Sequence, residues 1–233
     1  MRRMHARRTL AARNNAAWCD VVARSHGVET EIDRGVWIAR TRTPPYYPDA
    51  VTLVPNPAIP DLLRRIDASA GCSIKDSFAT LDLAAFGFRV LFEARWITRR
   101  LDVPTAASDE PTWVRMHEAS ELAAWEAAWS GGLGAQGLFR ADLLAIDAVT
   151  VLAAHETDRI VAGAVLTRSA GVVGVSNVFS LPGRKRAAWQ GCLARASTLY
   201  PAVTMVGYEG GDLDIVLDHG FETAGPLRVW IRD

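Results

Sequence analysis

The segment "AVTVLAAHETDRIVAGAVLTRSAGVVGVSNVFS", residues Ala148–Ser180, determines how the rest of the chain is interpreted. It predicts three antiparallel strands, because three apolar runs are separated by the turn sequences "TDR" (157–159) and "SAG" (169–171). The next residues, "LPGRKRAAWQGC" (181–192), predict a loop with one glycine and three consecutive bases, and then a helix. A loop that leads from a strand into a helix in this way can hold a phosphate group.

The segments on either side complete a regular order of elements. Before the three strands, "TWVRM" predicts a strand, "EASELAAWEAAWS" a helix and "FRADLLA" a short helix. After the basic loop and its helix, "VTMVGYE" predicts a strand, "GDLDIVLDHG" a helix that glycine ends, and "FETAGPLRVWIRD" the final strands. The order is therefore strand, helix, helix, three antiparallel strands, helix, strand, helix, strands, which indicates a mixed α/β (α+β) protein.

The first half of the chain shows a shorter version of the same plan. The segment "LDLAAFGFRVLFEARWI" (81–97) is similar to "LDIVLDHGFETAGPLRVWI" (213–231), since both combine Leu-Asp, a Gly-Phe helix stop and a strand with Arg, Trp and Ile. The match predicts an internal repeat, although any helix–glycine–strand unit gives a related pattern. We expect an abbreviated first unit at 1–98, a polar, proline-bearing linker at 99–112 and a second unit at 113–233.

Composition excludes several classes of function. The 26 basic and 26 acidic residues give a net charge of zero, so no general positive field favours nucleic acid or an anionic membrane. No apolar run approaches the ~18 residues of a membrane span. The three cysteines, Cys19, Cys72 and Cys192, are far apart, which fits neither a zinc site nor a disulfide framework and predicts a reducing cytoplasm.

Other features of the composition are consistent with an ordinary soluble protein. The start "MRRMHARRTLAAR" resembles a transit peptide, but a basic first turn of a surface helix is favoured. Lys75 and Lys185 are the only lysines, and this arginine- and alanine-rich composition is typical of a GC-rich, bacterial genome. The oligomeric state cannot be inferred from the sequence.

Familiar catalytic motifs are missing. "GLGAQG" (132–137) fits the dinucleotide pattern G-x-G-x-x-G, but a tryptophan-rich helix precedes it instead of a strand, so a flexible loop is favoured, and such a loop could fold over a substrate. The five histidines are scattered, and no G-x-S-x-G or H-E-x-x-H pattern occurs. Hydrolase and metalloenzyme functions are unsupported, and no metal is expected.

The order of elements at 113–233, ending in "GYEGGDLDIVLDHGF", resembles the GCN5-related N-acetyltransferase (GNAT) family. The resemblance implies a mostly antiparallel sheet flanked by helices, and at lower quality it extends over the first half. Tandem arrangements with one incomplete unit are also known in that family. It implies acetyl-coenzyme A as co-substrate and an amine of a small molecule or peptide as acceptor.

The resemblance also implies positions for the coenzyme. The pantetheine arm of acetyl-coenzyme A would lie along the strand that contains Asn177, Val178, Phe179 and Ser180. Its pyrophosphate would bind at the next helix, near Gly183, Arg184, Lys185 and Arg186. The family pattern Gln/Arg-x-x-Gly-x-Gly/Ala is degenerate here, because Ala187 and Ala188 stand near the positions of the glycine and the small residue. We therefore expect the three bases to supply side-chain contacts to phosphate.

The catalytic groups depart from the family as well. Val216 stands about where many members have a tyrosine that acts as the general acid, and "GVSNVFS" has no carboxylate to act as base. Glu209 as base and Tyr208 as acid, at the end of the adjacent strand, are the best candidates; the alternative is that they form a capping or core-edge pair. Two functions remain open: acyl transfer from acetyl-coenzyme A to an amine, and a degenerate, non-catalytic unit that binds a ligand or a partner.

Overall fold

The structure is a computed structural model that describes residues 2–101, 111–132 and 137–233, with side chains from Met4 onward. Most of the predicted linker (102–110) and most of the predicted "GLGAQG" loop (133–136) lie outside the described residues. The chain divides into two compact units: one comprises Met1–Ile97, Tyr208–Gly211 and Thr223–Asp233, and the other comprises Thr98–Gly207 and Asp212–Glu222.

The two units contain helices, strands and two 3-10 turns (Ala84–Phe86 and Ala141–Ala145). The helices are α1 (Arg2–Ser25), α2 (Ile59–Arg64), α3 (Ala119–Trp129), α4 (Lys185–Leu199) and α5 (Leu213–Asp218). The strands are β1 (Thr30–Asp33), β2 (Val36–Ala39), β3 (Ala50–Thr52), β4 (Ser73–Asp76), β5 (Phe88–Arg100), β6 (Thr112–Arg115), β7 (Val149–Glu156), β8 (Arg159–Ser169), β9 (Val172–Ser180), β10 (Thr204–Glu209) and β11 (Glu222–Arg232).

The first unit is built on a sheet in the order β1-β2-β3-β4-β11-β5. The pairs β1–β2, β2–β3 and β4–β11 are antiparallel, and β3–β4 is parallel. Because β11 pairs with β4 from Arg228↔Asp76 to Ile231↔Ser73, the end of the chain belongs to the first unit by its contacts. Pairing between strands this far apart leaves no local signal in the sequence, and the division into related units at 1–98 and 113–233 stays a prediction.

The second unit contains the sheet order β10-β9-β8-β7-β6. The pairs β6–β7, β7–β8 and β8–β9 are antiparallel, as the opening sequence segment predicts. Residues 161–167 of β8 are all buried, which requires cover on both faces of the sheet since strand side chains alternate. Helices α3 and α4 both pack against β8 and β9, and Trp125 of α3 donates its indole N–H to the Leu152 carbonyl at 2.8 Å.

These elements confirm the predicted mixed α+β class with a mostly antiparallel sheet arrangement. The two similar segments have the same local structure: a short helical turn, a glycine in the left-handed region (φ 81° at Gly87 and 80° at Gly220) and a long strand, β5 or β11. The origin of this likeness in an internal repeat stays a prediction.

Candidate functional site

Strand β10 pairs with β9 over a short stretch near the start of β9. The two parallel strands are in register only at Met205↔Val173 and Val206↔Gly174. Strand β9 continues to Ser180 and remains paired with β8 on its other edge. Residues 172–175 of β9 are buried and residues 176–180 are half-buried. Within the described residues, the β10-facing edge of β9 beyond Gly174 therefore presents backbone groups that β10 does not pair.

A β-bulge lies in the pairing of β9 with β8, along the other edge of β9. The register with β8 passes from Val165↔Ser176 to Gly163↔Phe179, so Asn177 and Val178 together oppose Ala164. Asn177 has φ 54°, in the left-handed region that Asn tolerates better than most residues. A bulge of this kind bends the strand and redirects its backbone groups, and bulges are common beside binding sites.

The loop after β9 leads into the N-terminus of α4. Gly183 has φ 77°, a conformation that glycine adopts without strain, and a Cβ atom there would meet no atom within 4 Å. Ala188 donates the first intrahelical hydrogen bond, to the Arg184 carbonyl, and Arg184 provides no side-chain cap. The backbone N–H groups of residues 185–187 consequently have no acceptor within the helix, and they lie at its positive end.

Each of the three bases in this loop forms an ion pair with a carboxylate of the second unit. Arg184 pairs with Glu156, Lys185 with Asp212, and Arg186 with Asp218 at 2.6 Å. The side chains in these pairs are 34–58% exposed, so each pair contributes only about 0–1 kcal/mol. The acidic partners are 27 to 32 positions away in sequence, which is why sequence reasoning did not find them.

A cavity of about 460 Å³ lies beside the end of β9 in the second unit. Of the eight residues predicted to contact the coenzyme, Phe179 and Ser180 line it, together with Leu181 and residues of α3. The Phe179 ring packs edge-on against Trp125, with ring centroids 5.2 Å apart. Since a Cβ atom at Gly163 would come within 2.4 Å of both rings, the missing side chain at Gly163 permits this packing.

Tyr208 and Glu209 end β10 and belong to the first unit. The Tyr208 ring stacks on Phe92, meets Trp96 edge-on and lies under the ammonium of Lys75, with Nζ 4.4 Å from the ring centroid. The Glu209 Oε1 atom accepts hydrogen bonds from the N–H groups of Gly210 (2.9 Å) and Gly211 (3.2 Å). Glu209 thus stabilises the turn that follows it, in agreement with the capping alternative, and its use as a base stays a prediction.

His219 is a residue near α4 that the sequence analysis did not select. The Nε2 atom of His219 lies 3.0 Å from the Arg186 carbonyl oxygen in the first turn of α4. The guanidinium of Arg99 donates a hydrogen bond to the backbone carbonyl of His219. Burial lowers the pKa of His219, and the neighbouring charges of Arg99 and Arg186 lower it further. Val216 of α5 is fully buried.

The described ranges contain neither a membrane-spanning helix nor a metal-binding cluster of side chains. None of the helices there combines the length and apolar character that a membrane crossing requires. In those ranges, no group of three or more His, Cys, Asp or Glu side chains is arranged to hold a metal ion.

Comparison with solved structures gives the fold a precedent. A GCN5-related N-acetyltransferase from Kribbella flavida matches with a TM-score of 0.65 and 16% identity, over 95% of each chain. A putative GNAT-family acetyltransferase from Novosphingobium aromaticivorans matches with a TM-score of 0.55 and 15% identity, over 93% of this chain and 96% of that one. A functionally unknown conserved protein from Staphylococcus epidermidis matches with a TM-score of 0.59 and 10% identity, over 84% of each chain.

Sequence comparison adds nothing to these structural matches. No protein-family model matches the chain, and no curated protein matches it. Identities of 10–16% carry information on architecture alone. The matches span nearly the whole chain, both units included, and two of them bear the same family name. The chain has the fold of the GCN5-related N-acetyltransferases.

Proposed function

We propose that the protein is an N-acyltransferase that uses acetyl-coenzyme A and acts on an amine of a small molecule or peptide. The observation that carries the proposal is the β10-facing edge of β9, where pairing stops at Gly174 and a bulge at Asn177 redirects the backbone. The helix N-terminus that follows adds N–H donors suited to an anion. Acetyl-coenzyme A would supply a thioester, whose acyl group is transferred.

The residues present fit such a co-substrate mainly through their backbone. Along β9, the backbone groups of Asn177, Val178, Phe179 and Ser180 would hold the pantetheine arm, since an extended chain can bond to a strand edge that the neighbouring strand does not cover. At the loop, the N–H groups of residues 185–187 in the first turn of α4, next to Gly183 and Arg184, would hold the pyrophosphate. Gly183 has open space around its α-carbon, which allows close approach.

The three bases already have acidic partners in the structure, and this affects how much they would add to phosphate binding. Their charges are balanced by Glu156, Asp212 and Asp218 in the structure. A pyrophosphate would compete with these carboxylates for Arg184, Lys185 and Arg186, and weak, exposed pairs can be exchanged at small cost. The bases therefore add to affinity only by the difference between the phosphate contacts and the ion pairs they replace.

Amide formation also needs proton transfers. The amine must be neutral to form the C–N bond, and the thiolate released when the C–S bond breaks must be protonated. We assign Glu209 as the base that accepts the proton from the amine, and Tyr208 as the acid that donates a proton to the thiolate. Glu209→Gln should lower turnover by about 10²–10⁴. Glutamine keeps an oxygen that can accept the Gly210 and Gly211 N–H groups, so an unchanged melting temperature with a lost rate would separate chemistry from turn capping.

Binding of the co-substrate is the direct test. Acetyl-coenzyme A at about 100 times its dissociation constant should stabilise the folded chain by about 2.7 kcal/mol, which raises the melting temperature by about 5–10 °C. Replacing all three bases by alanine should reduce this shift. A matched variant with Glu156→Gln, Asp212→Asn and Asp218→Asn keeps the bases and removes their acidic partners, so it should increase the shift. Added salt should weaken acetyl-coenzyme A binding more in this variant than in the wild type.

Two results would count against the proposal. No shift with millimolar acetyl-coenzyme A in a folded protein would reject the co-substrate. A shift that is equal in the wild type and in both charge variants would restrict recognition to the backbone and reject the role of the bases.

A second function, a non-catalytic unit that binds a ligand or partner, is favoured by one specific observation. Val216, fully buried, stands where many GNAT enzymes have a tyrosine acid, and Glu209 is engaged in a turn. Under this alternative, acetyl-coenzyme A either fails to bind or binds without turnover for any amine tested. Single-turnover release of free thiol from bound acetyl-coenzyme A, followed with a thiol reagent across an amine panel, distinguishes the two functions.

A further inference from the structure

The first unit has a cavity of its own, separate from the residues considered for coenzyme binding in the second unit. Its volume is about 640 Å³, within the usual range of about 300–1,000 Å³ for small-molecule sites. Most of the lining is apolar or aromatic. The lining residues are Arg42, Thr43, Pro44, Pro45, Tyr46, Tyr47, Pro48, Asp49, Gly71, Ser73, Lys75, Leu91, Phe92, Tyr208, Val229 and Ile231.

A buried lysine lines this cavity. Lys75 of β4 is 5% exposed, and its Nζ donates a hydrogen bond to Asn15 Oδ1 at 2.8 Å. The ammonium also lies 4.4 Å from the centroid of the Tyr208 ring, a cation–π contact. An ammonium has three N–H donors, so one acceptor and one ring face do not satisfy it.

In the described part of the chain, no carboxylate lies within ion-pair distance of Lys75. The nearby Cys19 thiol does not provide the missing negative charge, since burial raises its pKa more than the Lys75 charge lowers it. Burial of a cation without a counter-ion is unfavourable, and an anion that entered the cavity would relieve this cost.

The other cation of the lining is already matched. Arg42 pairs with the buried Asp49 at 2.8 Å and donates to the Ser69 side chain and to the carbonyl groups of Ser69 and Ala70. Asp49 also accepts from Thr43 and from the Ser73 N–H. These bonds hold the 42–49 loop against β4 and leave Lys75 as the unmatched charge among the described lining residues.

The walls of the cavity are organised for a flat apolar group. Tyr208 and Phe92 are stacked with ring planes 21° apart, and Pro44, Pro45 and Pro48 restrict the opposite loop. Thr43 Oγ1 donates to the Tyr47 carbonyl at 2.7 Å, which braces that loop.

We propose that this cavity binds a small monocarboxylate with an apolar, aromatic body. The carboxylate would accept from Lys75 Nζ, and the body would lie between the loop and the Tyr208 and Phe92 rings. The cavity shares Tyr208 with the proposed acyl transfer, but the carboxylate is recognised by Lys75, which has no part in that chemistry, so binding of the acid is tested without acetyl-coenzyme A.

The chain offers a direct probe of Lys75, since it has only two lysines. Lysine labelled with ¹³C at Cε should give two side-chain NMR signals, and Lys75→Met removes and so assigns one of them. We expect 3-phenylpropionate to shift the Lys75 signal and to leave the Lys185 signal in place. Its uncharged analogue, 3-phenylpropionamide, should bind at least tenfold more weakly by titration calorimetry of the full-length protein.

Two variants keep the test decisive. Lys75→Met places an apolar side chain of similar length in a buried site, should keep the fold by circular dichroism and should bind acid and amide equally weakly. Leu91→Trp changes a residue that is 46% exposed at the cavity, so it should keep both the fold and Lys75 while reducing binding of the acid at least tenfold. Equal affinity of the wild type for acid and amide, or movement of the Lys185 signal alone, would overturn the proposal.

Discussion

Two glutamates of helix α3 provide a matched test of what buried hydrogen bonds contribute to this fold. Glu126 is 4% exposed and accepts backbone N–H groups from Leu138 (2.9 Å) and Phe139 (3.2 Å). Glu121, five positions earlier, is exposed and accepts N–H groups from His117 (2.7 Å) and Glu118 (2.9 Å) in a capping box. The two carboxylates form the same number of backbone bonds and differ in burial.

The expected costs follow from that difference. In Glu126→Ala, two buried N–H groups lose their acceptor, at about 1–3 kcal/mol each, so the free energy of unfolding should fall by about 2–5 kcal/mol. In Glu121→Ala, water replaces the carboxylate, and the loss should be about 0.5–1 kcal/mol. For a chain of this length, 1 kcal/mol corresponds to about 2–4 °C in melting temperature. Glu126→Ala should therefore melt at least about 4 °C below wild type, and Glu121→Ala within about 4 °C.

The assay combines urea unfolding, followed by circular dichroism, with amide hydrogen exchange. The amides of Leu138 and Phe139 should exchange faster in Glu126→Ala, and those of His117 and Glu118 in Glu121→Ala, each without change at the other pair. Equal unfolding free energies for the two variants, or unchanged exchange at Leu138 and Phe139, would refute the reasoning from burial.

Three further predictions concern thiols, histidine and a close contact. The three cysteines are buried, and burial raises the thiol pKa, to about 12 at Cys72 and Cys192. A thiol reagent at pH 8 should therefore label none of them until guanidinium unfolds the chain, and labelling of the folded chain would contradict this. The pKa of His219 is lowered in the folded state, so as pH falls the unfolded chain binds a proton at this imidazole before the folded chain does, and stability should be lost below about pH 6.5. His219→Gln should flatten the dependence of the urea midpoint on pH in that range, and an unchanged slope would contradict the prediction. Gly163→Ala would place a Cβ atom 2.4 Å from ring atoms of Phe179 and Trp125 and should cost about 1–3 kcal/mol, whereas Gly211→Ala, with nothing within 4 Å, should leave the melting temperature unchanged.

The sequence predicts the second unit well because its elements are local and strongly patterned. Strands β7, β8 and β9 are continuous apolar runs with clear turns, and helix α4 begins after a glycine. Periodicity and turn chemistry depend on neighbours within a few residues, so they can be recognised without the fold. The bulge at Asn177 is a different case, since a register shift depends on the partner strand and has no signal in "GVSNVFS" alone.

The features that were not predicted depend on contacts between distant residues. The chain end pairs with β4, more than 140 positions earlier. Nothing in the sequence "CSIKDS" distinguishes Lys75 as a site residue, yet it is buried beside Asn15, which lies 60 positions away. Its surroundings become visible only when α1, β4 and the end of β10 are brought together within the first unit.

The degenerate phosphate loop is therefore weaker evidence against function than its sequence suggests. Glycines are required in such loops where the backbone must turn into the left-handed region or approach a phosphate closely, and here Gly183 meets the first requirement. The donors themselves are N–H groups at the start of α4, which every residue other than proline supplies, so Ala187 in place of glycine removes none of them. What the substitutions change is the charge around those donors, because Arg184, Lys185 and Arg186 bring with them the carboxylates of Glu156, Asp212 and Asp218. An anion that binds at this helix must then compete with three ion pairs, so its affinity should depend on salt and on these carboxylates as well as on the backbone donors that follow Gly183.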